Sequence, residues 1–278
     1  MKKISHYCYL FLLCGALSSF SLCAQGAVLV EDNFNGYSPV PESLPTGESP
    51  AVWKTTLTNA NKTFTVVTDT ENLFGQGTSN QFLNMAVASY DTSLQPMAAT
   101  NTFDSTQSGQ ISLDFYDPTG STGDGWIMRW GTGNGNSTSA FALSIQDGSF
   151  YLYTGGSITK QDAVASYTQN TVNNLVVVFN NTSSALTYEG GTVASGMMDV
   201  WLNGTRVASG VSNTGNISTG TSLNSFNFVS KAQYVGSLYI DNLSIDSNAS
   251  IPEPSESAAI LLAATLLLAF LKRAKGRR

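Results

Sequence analysis

Between residues 28 and 250, apolar and polar positions alternate in short runs, and no stretch shows the apolar spacing of a helix. The segment Ile111-Ser-Leu-Asp-Phe-Tyr116 sets Ile111, Leu113 and Phe115 on one face and Ser112, Asp114 and Tyr116 on the other. That pattern predicts a half-buried strand, ended by Asp117-Pro118. Runs of the same kind at Trp126 to Trp130, Phe141 to Gln146, Phe150 to Tyr153, Leu175 to Asn180, Met197 to Leu202, Ser225 to Val229 and Ser237 to Ile245 predict further strands. In Asp199-Val-Trp-Leu-Asn-Gly-Thr-Arg-Val-Ala208, the Asn203-Gly204 pair between two such runs predicts a two-residue type I′ hairpin. Many short strands without helices imply an all-β domain, and the length favours a two-sheet jelly-roll sandwich of about a dozen strands. Two low-complexity stretches, Gly131 to Ser139 and Asn213 to Ser222, read as long mobile loops.

The two ends of the chain have different patterns. Lys2 and Lys3 precede an apolar stretch from Tyr7 to Leu22 and then the small residues Ala24, Gly26 and Ala27, the layout of a secretory signal peptide over residues 1–26, cut after Ala24 or Gly26. At the other end, over residues 251–278, a Pro252-Glu253-Pro254 turn is followed by an apolar run from Ala258 to Leu271. A basic tail of Lys272, Arg273, Lys275, Arg277 and Arg278 completes the chain. Fourteen residues make a helix of about 21 Å, a short transmembrane span whose cations would hold its end in the cytoplasm.

Composition narrows the chemistry. All three cysteines (Cys8, Cys14, Cys23) and the single histidine (His6) lie in the leader, so residues 27–250 contain neither type. A Ser-His-Asp triad, a Cys-His dyad, a zinc site of the usual ligation and a disulfide are all excluded there. The same region carries 17 acidic against 6 basic residues, a net charge of −11, which argues against nucleic acid as a partner.

The order Pro-Glu-Pro, short helix, Arg-rich end resembles the PEP-CTERM sorting signal of bacterial envelope proteins. The resemblance implies signal peptidase and an exosortase-type membrane enzyme as processing partners, acting on Pro252, Glu253 and Pro254, and an inner-membrane precursor destined for the cell surface or extracellular matrix. The hairpin Asp199-Val-Trp-Leu-Asn-Gly-Thr205 and the closing run Leu238-Tyr-Ile-Asp-Asn-Leu-Ser-Ile245 look like stretches of laminin-G-like, concanavalin-A-like jelly rolls. In that family the terminal strands pair, which would set Asp32-Asn33-Phe34 beside Asp241-Asn242-Leu243.

Glu31, Asp32 and Asp241, with Asn33, Asn242 and backbone carbonyls, are then candidates for an oxygen shell around a structural Ca²⁺, unless they merely cap strand ends. Trp126, Met128 and Trp130 share one face of their strand, either as core or as a platform for sugar rings, with Ile127 and Arg129 on the other. Tyr151 and Tyr153 form a second aromatic row, expected on the outer face of the sheet. A hydrolase would need paired carboxylates, yet only five Glu are present in the region and no closely spaced acidic strand motif appears. Asp114 with Asp117 is a pair by spacing, and a lyase could use Tyr116 and Arg129. The reading is therefore a non-enzymatic, exported and sorted matrix protein with a structural or adhesive role, its partner an exopolysaccharide or another surface protein. The alternatives are a calcium-dependent carbohydrate-binding module and a carboxylate-dependent polysaccharide-degrading enzyme.

Overall fold

The computed structural model describes residues 27–38, 40–44, 53–89, 95–100, 102–154, 159–213, 215–231 and 233–250. The expected signal peptide and the Pro252-Glu253-Pro254 sorting segment with its apolar run lie outside the described residues. Among the described residues no helix is long and apolar enough to cross a membrane.

The strands follow in the order β1 (Val28–Asp32), β2 (Glu42–Ser43), β3 (Trp53–Thr56), β4 (Lys62–Thr68), β5 (Gln81–Val87), β6 (Met97–Thr100), β7 (Ser108–Tyr116), β8 (Trp126–Gly131) and β9 (Ser139–Gln146). They continue with β10 (Ser149–Thr154), β11 (Thr159–Ser166), β12 (Val172–Asn180), β13 (Leu186–Tyr188), β14 (Gly191–Val193), β15 (Met197–Leu202), β16 (Thr205–Ser212), β17 (Ser225–Ser230) and β18 (Gly236–Asp246). A nine-stranded sheet runs β16-β15-β12-β7-β18-β5-β4-β2, with β1 also paired to β18. A seven-stranded sheet runs β11-β10-β9-β8-β17-β6-β3, and β13-β14 form a separate hairpin. All the pairings within these two large sheets are antiparallel.

The period-2 pattern explains the layering. Ile111, Leu113 and Phe115 of β7, with Val177 and Phe179 of β12 and Ile240 of β18, form one wall of a continuous core. Trp126, Met128 and Trp130 of β8, Phe141 and Leu143 of β9 and Phe226 and Phe228 of β17 form the other. Ring contacts bridge the walls: Phe64 to Trp126 at 5.4 Å, Phe115 to Phe150 at 5.8 Å and Trp130 to Phe179 at 6.1 Å between centroids. Trp126 and Trp130 are 1% and 2% exposed, so they are core and not a ligand platform.

The terminal strands pair with Asp32 opposite Leu243. Asn203 and Gly204 both have positive φ, 50° and 75°, and Leu202 pairs with Thr205, as a type I′ hairpin requires. The stretch 132–138 departs from the mobile loop expected of it. It folds back on itself through Thr132 N–H to Thr138 O (2.9 Å) and a short 3₁₀ turn, Asn136–Thr138, and it hydrogen-bonds to β8 and β17. Within the second stretch, residues 218–221 are tied down as well, through Asn181 Nδ2 donating to Ser218 O and Thr221 O.

Candidate functional site

On the outer face of the nine-stranded sheet, alternation leaves Ser112, Asp114 and Tyr116 of β7 facing away from the core. Tyr239 of β18 sits directly opposite Tyr116 in register. Their rings stack at 5.7 Å with planes only 10° apart, and both side chains are half-buried. Phe82 of β5 abuts Tyr239 at 5.0 Å, and Phe74 abuts Phe82 at 5.3 Å, which extends the aromatic surface toward the segment 69–80.

That segment forms one bank of the site. The Asp69 carboxylate accepts the backbone N–H groups of Leu73 (2.7 Å) and Phe74 (2.9 Å), folding the chain into a tight loop, and Asn72 Oδ1 accepts Gly77 N–H at 2.7 Å. Between this loop and the tyrosines lies a cleft of about 270 Å³ lined by Thr68, Asp69, Thr70, Glu71, Tyr116 and Tyr239 among others. Thr70 and Glu71 are exposed at its rim. Burial, together with the neighbouring Tyr116 and Glu71, raises the Tyr239 phenol, which therefore remains a neutral hydroxyl at physiological pH.

A polar network flanks the platform on the same face of the sheet, two residues along the paired strands. β18 carries one extra residue against β7 between Asp241 and Ser244, and Asn242 there has φ of 50°. The bulge lets Asn242 Nδ2 reach Asp114 Oδ2 at 2.8 Å while Asn174 Nδ2 holds Asp114 Oδ1 at 2.9 Å. Asp241, fully buried, accepts Asn80 Nδ2 (2.8 Å), Gln76 Nε2 (3.4 Å) and the Asn242 N–H (2.8 Å). Burial pushes its carboxyl up to about 6; the nearby Asp114 and Asp69 add to the rise, and the hydrogen bonds from Asn80 and Asn242 offset part of it.

Other expected site residues are placed differently. Glu31, Asp32 and Asp241 do not form a metal-holding group; among the described residues no group of three or more such side chains has that arrangement. Asp32 uses its carboxylate on Phe34 N–H (2.8 Å), Tyr37 Oη–H (2.9 Å) and Trp53 Nε1–H (2.7 Å), and Glu31 is exposed. Tyr153, expected outside, is fully buried and donates to Asp124 O at 3.0 Å, while Tyr151 is half-buried beside it. Both pack into a second apolar cluster with Ile127, Ala142 and Val229 behind the seven-stranded sheet. Asp117 is buried, accepting Tyr167 Oη–H and Gln169 Nε2–H, and Tyr116 and Arg129 belong to different sheets. Neither the Asp114–Asp117 pair suggested by spacing nor a Tyr116–Arg129 pair is assembled. The sequence reading missed Tyr239, Phe82, Asp69 and Glu71; the alternation in Leu238-Tyr239-Ile240 was the available signal.

No protein-family model and no curated protein matches the chain. Solved structures similar to it include a protein of unknown function from Shewanella oneidensis MR-1, with 12% identity, 91% of this chain and 99% of that one covered, and a TM-score of 0.48. A protein of unknown function with a galectin-like fold from Bacillus subtilis shares 8% identity over 80% of this chain and 97% of its own, with a TM-score of 0.47. A carbohydrate esterase from the Shiga toxin-encoding bacteriophage phi24B shares 10% identity over 71% and 90%, with a TM-score of 0.45. These likenesses are distant, and the two-sheet antiparallel sandwich stands on the strand pairing described above.

Proposed function

We propose that this chain is a glycan-binding protein of a bacterial surface or extracellular matrix, with a structural or adhesive role. In this reading it is exported through its leader and sorted through Pro252-Glu253-Pro254 by an exosortase-type enzyme. The observation that carries the binding role is the near-parallel Tyr116–Tyr239 pair, half-exposed at the wall of the cleft. Two flat phenols present an apolar surface with polar edges, which suits the face of a pyranose ring, and the Thr70 hydroxyl and Glu71 carboxylate supply hydrogen-bond partners for sugar hydroxyls at the rim. The remaining acids of the face are engaged: Asp114 holds two amides and Asp69 two backbone N–H groups. Recognition needs only these contacts, whereas hydrolysis needs two carboxyl groups set across a bond.

Calorimetric titration of the full-length chain with exopolysaccharide from the producing organism tests this. Binding is expected, and Tyr116→Ala and Tyr239→Ala should each weaken it about tenfold, roughly the loss of one ring's stacking. Absence of heat, or affinity unchanged in both variants, refutes the platform. Sorting is tested separately: alanine at Pro252 and Glu253 should leave the protein in the inner membrane, and normal release of that variant refutes the sorting role.

A further inference from the structure

Arg129 lies on the outer face of the seven-stranded sheet and is 4% exposed. Among the described residues its guanidinium has no carboxylate partner. Nε donates to Asn227 Oδ1 at 2.9 Å, one terminal nitrogen donates to Asn136 Oδ1, and the other donates to Asn134 O at 2.7 Å and to the Met97 thioether at 3.5 Å. All four acceptors are neutral, and the thioether is a weak one. Burial alone shifts this group, lowering its pKa to about 10, with no acidic neighbour to counter it. A buried charge is ordinarily paired, because desolvation costs several kcal/mol that neutral acceptors return only in part. Here a cation stays unpaired within a region of net charge −11.

A second observation concerns the residue opposite. Asn227 pairs with Arg129 across β17 and β8 and is fully buried, yet among the described residues its Nδ2 has no hydrogen-bond partner. Asn134, whose carbonyl holds the same guanidinium, has a buried Oδ1 that is likewise unpaired. The cluster therefore combines an uncompensated cation, an unused donor and an unused acceptor. Met97 packs against the apolar cluster of Ile127, Ala142, Val229 and Tyr153 and is half-buried. Its unbranched side chain moves more easily than any other wall of this group.

We propose that Arg129 and Asn227 form a binding subsite for the carboxylate of a uronic acid unit in an acidic polysaccharide. The carboxylate replaces the Met97 sulfur, accepting one N–H from the guanidinium and the idle Nδ2–H of Asn227, in the planar geometry that suits an Arg-carboxylate contact. A ring hydroxyl of the same sugar fills the acceptor site at Asn134 Oδ1. One cation with one amide matches a singly charged carboxylate better than a phosphate dianion, and the need for a hydroxyl donor beside the acid favours a sugar acid over an acidic peptide. The subsite lies on the other sheet from the Tyr116–Tyr239 platform, so the two readings stand or fall apart.

The test titrates the full-length Tyr116→Ala/Tyr239→Ala variant, in which the platform is removed, with an oligouronate, a neutral oligosaccharide of equal length and an oligoglutamate. The oligouronate alone should bind, more weakly as salt is raised. Arg129→Lys added to that variant keeps the charge and loses the fork, and should weaken binding about tenfold or more. Asn227→Asp places an internal carboxylate on Arg129, so it should raise the melting temperature and abolish oligouronate binding even if Arg129→Lys fails to fold. The proposal is overturned by no oligouronate binding, by equal binding of the neutral sugar or of oligoglutamate, or by an Asn227→Asp variant that binds normally or melts lower than the parent.

Discussion

Asp32 Oδ2 accepts the indole N–H of Trp53 at 2.7 Å, a hydrogen bond from the nine-stranded sheet to the seven-stranded one. Trp53 is fully buried and stacks on Phe34 and Phe228, at 6.1 and 6.2 Å, so its only polar atom depends on this one acceptor. The same carboxylate fixes the turn after β1 through Phe34 N–H and Tyr37 Oη–H. It pushes Tyr37 well above the ordinary phenol range, second only to burial.

Asp32→Ala should therefore destabilise by about 2–4 kcal/mol, since it strands several donors at once, one of them fully buried. Trp53→Phe removes one donor along with its need, so it should cost less than a truncation of Trp53 to alanine, for which about 3–5 kcal/mol is expected from the cavity. Urea unfolding of the three variants checks the order; an Asp32→Ala loss below that of a typical surface substitution refutes the tie.

The buried Asp241 makes stability depend on pH. Its folded pKa of about 6 lies above the unfolded value, 3.8. Below about pH 4 both states hold the proton and no penalty applies. As pH rises from about 4 to 6 the unfolded chain releases the proton first, so stability falls through that window and the full penalty remains above it. Asp117, also raised by burial, acts in the same direction. Asp241→Asn should remove its own share, roughly 1–3 kcal/mol at neutral pH. Denaturant titrations of both proteins between pH 4 and 7 would show their difference growing with pH; a constant difference contradicts the assignment.

The strands were legible because each signal was local. Ile111 to Tyr116 alternates within six residues, and Asn203-Gly204 specifies its hairpin alone. Which face is core was not local. The alternation of Trp126, Met128 and Trp130 fits a platform as well as it fits a core, and only the sheet-to-sheet contacts with Phe64 and Phe179 decide it. Tyr153 read as outward, correctly, but the outer side of its sheet carries a second apolar cluster, so outward did not mean exposed. Asp32 and Asp241 looked like oxygen ligands because nothing in a sequence shows that their lone pairs are already spent on Trp53, Tyr37, Asn80 and backbone N–H groups. The Tyr116–Tyr239 pair was hidden for another reason: it joins strands distant in the chain through a register that a one-residue bulge helps to set.

At the Asn203-Gly204 turn, Gly204 has φ of 75°, which a side chain disfavours. Gly204→Ala should cost about 1 kcal/mol through backbone strain alone, with the hairpin retained. Asn203 Oδ1 also accepts the Asn174 N–H at 2.8 Å, so Asn203→Gly should destabilise although it relieves positive φ. Melting temperatures separate the two effects; an Asn203→Gly variant more stable than the parent shows that the bond to β12 contributes little.

The hairpin β13–β14 is fastened to the nine-stranded sheet through Tyr188, and its attachment distinguishes a buried hydrogen bond from a surface ion pair. Tyr188 Oη donates to the buried Asp199 Oδ2 at 2.7 Å and accepts Trp201 Nε1–H at 3.1 Å, with the rings edge to face at 6.3 Å. Arg206 also reaches Asp199 Oδ2, at 3.3 Å, and lies 5.7 Å from the Trp201 ring, but its side chain is 39% exposed. Solvent weakens that pair, and exposed ion pairs contribute about 0–1 kcal/mol. Removing the phenol oxygen leaves Asp199 with fewer donors and the Trp201 indole N–H without this acceptor, so Tyr188→Phe should cost about 1–3 kcal/mol. Tyr188→Phe should therefore destabilise more than Arg206→Ala, and raising the salt concentration should narrow the loss only for Arg206→Ala. Chemical denaturation at low and high salt reads both, and equal losses that respond equally to salt would assign the attachment to charge instead of to the buried hydrogen bonds.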